Sequence, residues 1–128
     1  MAMTVVLDTS VLIGLESGRL GPATVVDVAV LPSVVLEELR LGVLRSSELF
    51  RKLRQQTLES ALAAYDVAPV SREIALACAE IRAEGRGRGR RYDPFDSLVG
   101  ATGRVLGLTV LTRDRGFEGM SGVDVRLV

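Results

Sequence analysis

The strongest constraint on how this chain folds is an alternation. Runs of β-branched and aliphatic residues recur at 4–7 (TVVL), 28–31 (VAVL), 65–70 (YDVAPV, the weakest), 108–111 (LTVL) and 123–128 (VDVRLV), with helix-period patterns between most of them. A strand with one wet face would alternate apolar and polar residues, whereas these runs are apolar on both faces. Such strands need cover on both sides, so the pattern predicts an α/β fold with a parallel five-stranded sheet sandwiched between helices. Helices are expected over 9–17, from Ser33 through SVVLEELRLGVL, over 47–64, onward from Ser71, and after Asp93. Ser33 and Ser71 are placed as N-caps. In 47–64 the apolar positions are Phe50, Leu53, Leu58 and Leu62. No repeat or linker interrupts the pattern, so residues 1–128 are expected to form one domain. The one low-complexity stretch, GRGRGRR, reads as a flexible loop between two helices.

Composition narrows the chemistry. The chain has no histidine and one cysteine, Cys78. A Ser–His–Asp triad, a Cys–His pair and a histidine acid–base pair are therefore excluded, as are a disulfide within the chain and a cysteine zinc cluster. Cys78 lies on the stripe Ile74, Ala77, Cys78, Ile81, where a small core residue belongs. Catalysis would have to run on carboxylates, hydroxyls, arginines or a metal. Net charge is zero, so no global field draws nucleic acid or membrane. Arg86, Arg88, Arg90 and Arg91 nevertheless concentrate positive charge locally. No apolar run spans a bilayer and MAMTVVLDTS lacks a basic leader region, so a cytoplasmic protein is expected.

Two aspartates follow the arginines, in YDPFDSLVGA. Asp93 suits an N-cap, Pro94 the first helical position, and Asp96 the third, near the positive end of the helix dipole. Gly107 suits the helix end, and Gly100, Ala101 and Gly103 imply close packing on a neighbour. Two further acids lie at strand ends, Asp8 in VVLDTS and Asp114 in TVLTRD. In open parallel sheets ligands bind beyond the carboxyl ends of strands, at the topological switch point. If the two strands are adjacent, Asp8 and Asp114 share a crevice. By simple alternation Asp96 is expected at the opposite edge, unless its helix packs back over that crevice.

Together, LDTSVLIGL, VVLEELRLGV and DPFDSLVGATGRVLGLTVLTRD with Gly-Phe two residues on resemble the PIN domain, and more narrowly the VapC-type toxins of bacterial toxin–antitoxin pairs. The resemblance spans nearly the whole chain. It implies that Asp8, Glu38, Asp96 and Asp114 are the metal-binding, catalytic acids. Glu38 is preferred to Glu37 because it directly precedes Leu39-x-x-Gly42. Thr9, Ser10 and Thr112 become supporting hydroxyls that orient the carboxylates or water. The pattern departs at Gly116, where many relatives carry another acid before the Phe. Either four acids suffice or Asp93 supplies the extra one.

The implied activity is endoribonuclease hydrolysis of an RNA phosphodiester by water, leaving a 5′-phosphate and a 3′-hydroxyl. Converging carboxylates repel by ~4 kcal/mol per pair at 4 Å and an effective dielectric near 20. They need protons or cations to coexist, and with no histidine or thiolate available a cation would be a hard one that prefers oxygen, Mg²⁺ or Mn²⁺. Arg86, Arg88, Arg90 and Arg91 are candidates to hold the RNA backbone, with Tyr92 or Phe95 as stacking surfaces. The resemblance further implies a homodimer and a cognate antitoxin. Leu15, Leu20, Leu49 and Phe50 are candidates for the apolar groove or dimer surface. Other readings fit less well. A receiver domain wants an acid pair after the first strand and a late lysine, and Lys52 is the only lysine. A haloacid dehalogenase-type phosphatase wants Asp where Ser10 stands, and a dinucleotide fold wants a Gly-rich turn. The remaining alternative is a PIN-fold binding or assembly module with little or no nuclease activity.

Overall fold

The computed structural model describes residues 3–25 and 28–128. Met1 and Ala2, part of the stretch read for a leader, lie outside the described residues, as do Val26 and Asp27. Five strands, β1 (Thr4–Leu7), β2 (Val28–Pro32), β3 (Asp66–Ala68), β4 (Thr109–Thr112) and β5 (Val125–Leu127), form one sheet in the order β3-β2-β1-β4-β5. Every pairing is parallel, with Val6 opposite Val30 on one side and Val110 on the other. The helices are α1 (Thr9–Glu16), α2 (Ser33–Arg45), α3 (Glu48–Ala64), α4 (Arg72–Gly87) and α5 (Pro94–Leu106). The expected sandwich is the observed one: α1, α2 and α3 pack on one another, and α4 lies along α5.

Central position explains the doubly apolar strands. Val5, Val6 and Leu7 of β1 and Val110 and Leu111 of β4 are fully buried, whereas β3 and β5 are short edges. The Cys78 stripe is core, and burial pushes its thiol pKa up.

Helix ends follow local chemistry with one exception. Ser71 Oγ accepts from Ile74 N at 3.1 Å, and Gly107 ends α5 with φ 68°. Ser33, however, is the first residue of α2 and not its cap. Strand β2 runs into α2 without an intervening residue, so Pro32 takes the flanking position and no side chain caps the helix. Helix α3 buries Leu58 and Ala61 but leaves Phe50, Leu53 and Leu62 exposed, since it packs on α1 and α2 and makes an outer layer.

Helix α5 sits tightly. A Cβ on Gly103 would stand 2.6 Å from Val110 Cγ2, and one on Gly100 would stand 2.6 Å from the Met120 sulfur. Only glycine admits that approach. Because α5 precedes the parallel strand β4, it runs antiparallel to it and begins at the carboxyl edge of the sheet. Asp96 therefore starts on the same edge as Asp8 and Asp114, contrary to the alternation argument.

Candidate active site

The chain runs β1, β2, β3 outward in one direction and β4, β5 in the other, so the switch point lies between β1 and β4. Asp8 ends β1 there, its N–H donating to Leu111 O of β4 at 3.1 Å. The residue precedes α1, yet its side chain does not cap that helix. Instead its Oδ2 accepts from the Ser10 hydroxyl at 2.6 Å and the Thr112 hydroxyl at 2.8 Å. Those hydroxyls in turn accept backbone protons, Ser10 Oγ from Arg113 N and Thr112 Oγ1 from Asp114 N, each at 3.0 Å. With both hydroxyl protons committed to Asp8, the 3.2 Å between Ser10 Oγ and Thr112 Oγ1 is a contact of two oxygens. Asp8 is 5% exposed and its carboxylate is locked in orientation by this relay.

Glu38 reaches the same edge from α2. The Thr9 hydroxyl donates to its Oε1 at 3.0 Å, and the residue is half-buried while Glu37 is exposed. Burial raises the Glu38 pKa, the Thr9 bond opposes the rise, and Asp8, Asp93 and Glu37 add to it. Asp96 is shifted further, to about 7, first by burial and then by the charges of Asp8, Asp93, Asp114 and Glu38. Asp96 thus feels Asp8, Asp93, Asp114 and Glu38, and Glu38 feels Asp8 and Asp93, in keeping with acids from the ends of β1 and β4, from α2 and from the start of α5 gathered at one edge of the sheet. Asp114 stands just beyond β4, and its Oδ1 accepts from Gly116 N at 2.7 Å. A Cβ on Gly116 would lie 3.0 Å from that Oδ1, so a larger residue there would crowd Asp114.

Asp93 is placed differently. Its Oδ1 accepts from Phe95 N at 2.9 Å and Asp96 N at 3.1 Å, so it caps α5 and holds the turn that presents Asp96. The carboxyl is exposed, and it contributes charge to the cleft from the rim.

Donor chemistry suits a hard cation. The cleft offers carboxylate and hydroxyl oxygens, burial and then the neighbouring acids raise the Asp96 pKa to about 7, and neither ion pair among the described residues engages these acids. Among the described residues no three acids stand close enough together to enclose a metal ion.

The arginine run is not the free loop its composition suggests. Arg86 and Gly87 belong to α4. Arg88 Nη2 donates to Gly119 O at 2.8 Å, and Arg90 Nη1 to Glu118 O at 2.9 Å, latching the turn that follows β4. Arg90 also stacks 4.8 Å from the centroid of Tyr92. Tyr92, 7% exposed and donating to Glu118 O, has no open face for a base, whereas Phe95 is exposed. Arg86 and Arg91 remain, joined by Arg82, which went unnoticed in the sequence although it stands one helical turn before Arg86.

Of the proposed apolar contacts, Leu15 lines a cavity of about 330 Å³ between α1 and α3. With Leu20 it also lines a second of about 490 Å³. Leu49 is 81% exposed and Phe50 51%. No helix among the described residues is long and apolar enough to cross a membrane.

Comparison with known proteins agrees with this geometry. The PIN domain family model matches residues 5–123. The chain is 38% identical to Ribonuclease VapC5 of Mycobacterium tuberculosis over 119 residues, 91% of this chain and 87% of that protein. Ribonuclease VapC4 of the same organism is 31% identical, with 92% of each chain covered. The crystal structure of VapBC-5 from Mycobacterium tuberculosis, a member of the VapBC family of toxin–antitoxin systems, superposes with a TM-score of 0.85 at 33% identity, covering 98% of this chain and 99% of that one. With the family model matched over residues 5–123, 38% identity to Ribonuclease VapC5 and the fold of VapBC-5, this chain belongs to the PIN-domain family and, within it, to the VapC type.

Proposed function

We propose that the protein is a metal-dependent endoribonuclease, the toxin of a toxin–antitoxin pair, in which Asp8, Glu38, Asp96 and Asp114 hold Mg²⁺ or Mn²⁺. The observation that carries this reading is the placement of Asp8 and Asp114 at the β1/β4 switch point, tied together through Thr112, with Asp96 at the start of α5 on the same edge and no basic side chain paired to these acids among the described residues. The kinship with ribonucleases VapC5 and VapC4 supports RNA as the substrate. A bound divalent ion would polarise the scissile phosphate and make water a competent nucleophile at neutral pH. The chain's own residues supply the rest. Ser10 and Thr112 fix Asp8, Thr9 fixes Glu38, and the Asp93 cap fixes the turn bearing Asp96. Attack by water oxygen on phosphorus with departure of the 3′ oxygen, which takes a proton, leaves a 5′-phosphate and a 3′-hydroxyl.

The partner reading rests on kinship with the VapBC complexes and on apolar surface. A cognate antitoxin would use the cavities lined by Leu15 and Leu20, and a homodimer would cover Leu49 and Phe50. The chemistry is tested on partner-free protein with a mixed RNA pool in Mg²⁺, Mn²⁺ or EDTA. Cleavage should require the metal and fall at least ~100-fold in both Asp8→Asn and Asp96→Asn, the scale expected when a group central to transition-state charge is removed. Equal, EDTA-resistant cleavage in all three proteins would overturn the assignment. Absence of cleavage by wild type in any metal would favour a binding or assembly module.

A further inference from the structure

We propose that Arg82, Arg86 and Arg91 form a phosphate-binding pocket that seats the RNA backbone beside the scissile bond, a site that rests on the ribonuclease reading above. The three guanidinium side chains line one cavity of about 400 Å³ together with Tyr92, Asp93 and Pro94. Arg82 and Arg86 stand one turn apart on the same face of α4, and Arg91 comes from the segment entering α5. None of the three makes an ion pair or a side-chain hydrogen bond to a described residue, in contrast to Arg88 and Arg90, which hold backbone carbonyls. Three cations facing one concavity against a single carboxylate repel one another, and an anion relieves that repulsion. Guanidinium forks match phosphate oxygens bidentately.

Position identifies the anion. The one acid in the pocket, Asp93, accepts from Asp96 N at 3.1 Å, so the pocket meets the acid cleft at the start of α5. A strand with its scissile phosphate at the acids would lay a neighbouring phosphate among the arginines. The wall is polar, and its one aromatic ring, Tyr92, is buried, which disfavours an apolar peptide. Phosphate contacts position a strand without reading its bases, so the pocket sets register and leaves sequence choice elsewhere.

The test measures binding of a short unstructured oligoribonucleotide across a salt series, in the Asp96→Asn background to prevent cleavage. Adding Arg82→Gln, Arg86→Gln and Arg91→Gln should weaken binding roughly ten- to hundredfold at low salt. It should also make the slope of log affinity against log salt shallower by about 0.7 for each phosphate released. Arg88→Gln with Arg90→Gln should lower the melting temperature and leave that slope unchanged. An unchanged slope in the triple variant, or equal losses in both sets, overturns the pocket. Metal-dependent cleavage by the wild type, run in parallel, separates the two readings. If wild type cuts RNA while the triple variant keeps its slope, only the pocket fails; if wild type neither cuts nor binds RNA, the ribonuclease reading fails with it.

Discussion

Two aspartates three residues apart have opposite work. Asp93 spends its carboxylate on two backbone N–H groups, while Asp96 is half-buried among like charges and keeps its proton to about pH 7. The consequence for stability has a definite sign. The Asp96 pKa is raised from 3.8, so below that value both folded and unfolded forms are protonated and the group contributes no penalty. As pH rises toward and through about 7, the unfolded chain releases its proton readily and the folded one does not, so stability falls. Glu38 shifts in the same direction. Asp96→Asn should therefore melt at the wild-type temperature near pH 3.5 and roughly 2–6 °C higher at pH 8 in EDTA, a range already reduced for the partial exposure of the site. A difference that is constant with pH would show that Asp96 is not charged against its neighbours. Asp93 and Asp96 could be told apart in outline from the sequence, because Asp-Pro-x-Asp is cap chemistry. The depth of the Asp96 shift could not, since it depends first on burial and then on acids from other elements.

Among the elements, α5 decides the site. Its course antiparallel to β4 brings Asp96 to the cleft, and its glycines let it lie close enough to the sheet for that placement to be rigid. A Cβ at Gly103 would meet not only Val110 Cγ2 but the Leu108 carbonyl at 2.9 Å, which is backbone and cannot step aside. Gly103→Ala should consequently destabilise by about 1–3 kcal/mol despite the better helix propensity of alanine. Urea denaturation measures this, and a variant as stable as wild type would mean that α5 is seated more loosely. The small residues were visible in the sequence as a stripe. Their partner, β4, was not, because helical spacing names a face and not what lies against it. The arginine run shows the same limit: glycines and arginines read as a mobile loop, yet Arg88 and Arg90 find the carbonyls of Gly119 and Glu118, 31 and 28 residues away in sequence.

For the whole molecule, Leu44, Leu49, Phe50 and Leu53 leave an apolar surface on the α2–α3 hairpin that the core does not use. Exposed apolar patches of this kind mark association surfaces. Leu49→Glu with Phe50→Glu should shift the protein toward monomer in sedimentation experiments and change folding stability by at most about 0.5 kcal/mol per site, as for other exposed positions. Identical sedimentation of variant and wild type would remove this face from the proposed dimer. The sequence by itself determined the architecture and the kind of chemistry. Doubly apolar strands alternating with helices call for a parallel sheet covered on both faces, and a chain without histidine is left with carboxylates, hydroxyls, arginines or a metal. Tertiary structure alone decided which charges meet. Sheet order joins β1 to β4, α5 returns Asp96 to their shared edge, and long-range hydrogen bonds divide the arginines into latches and free cations. Those outcomes depend on distances between residues far apart in the chain, for which one-dimensional periodicity carries no information.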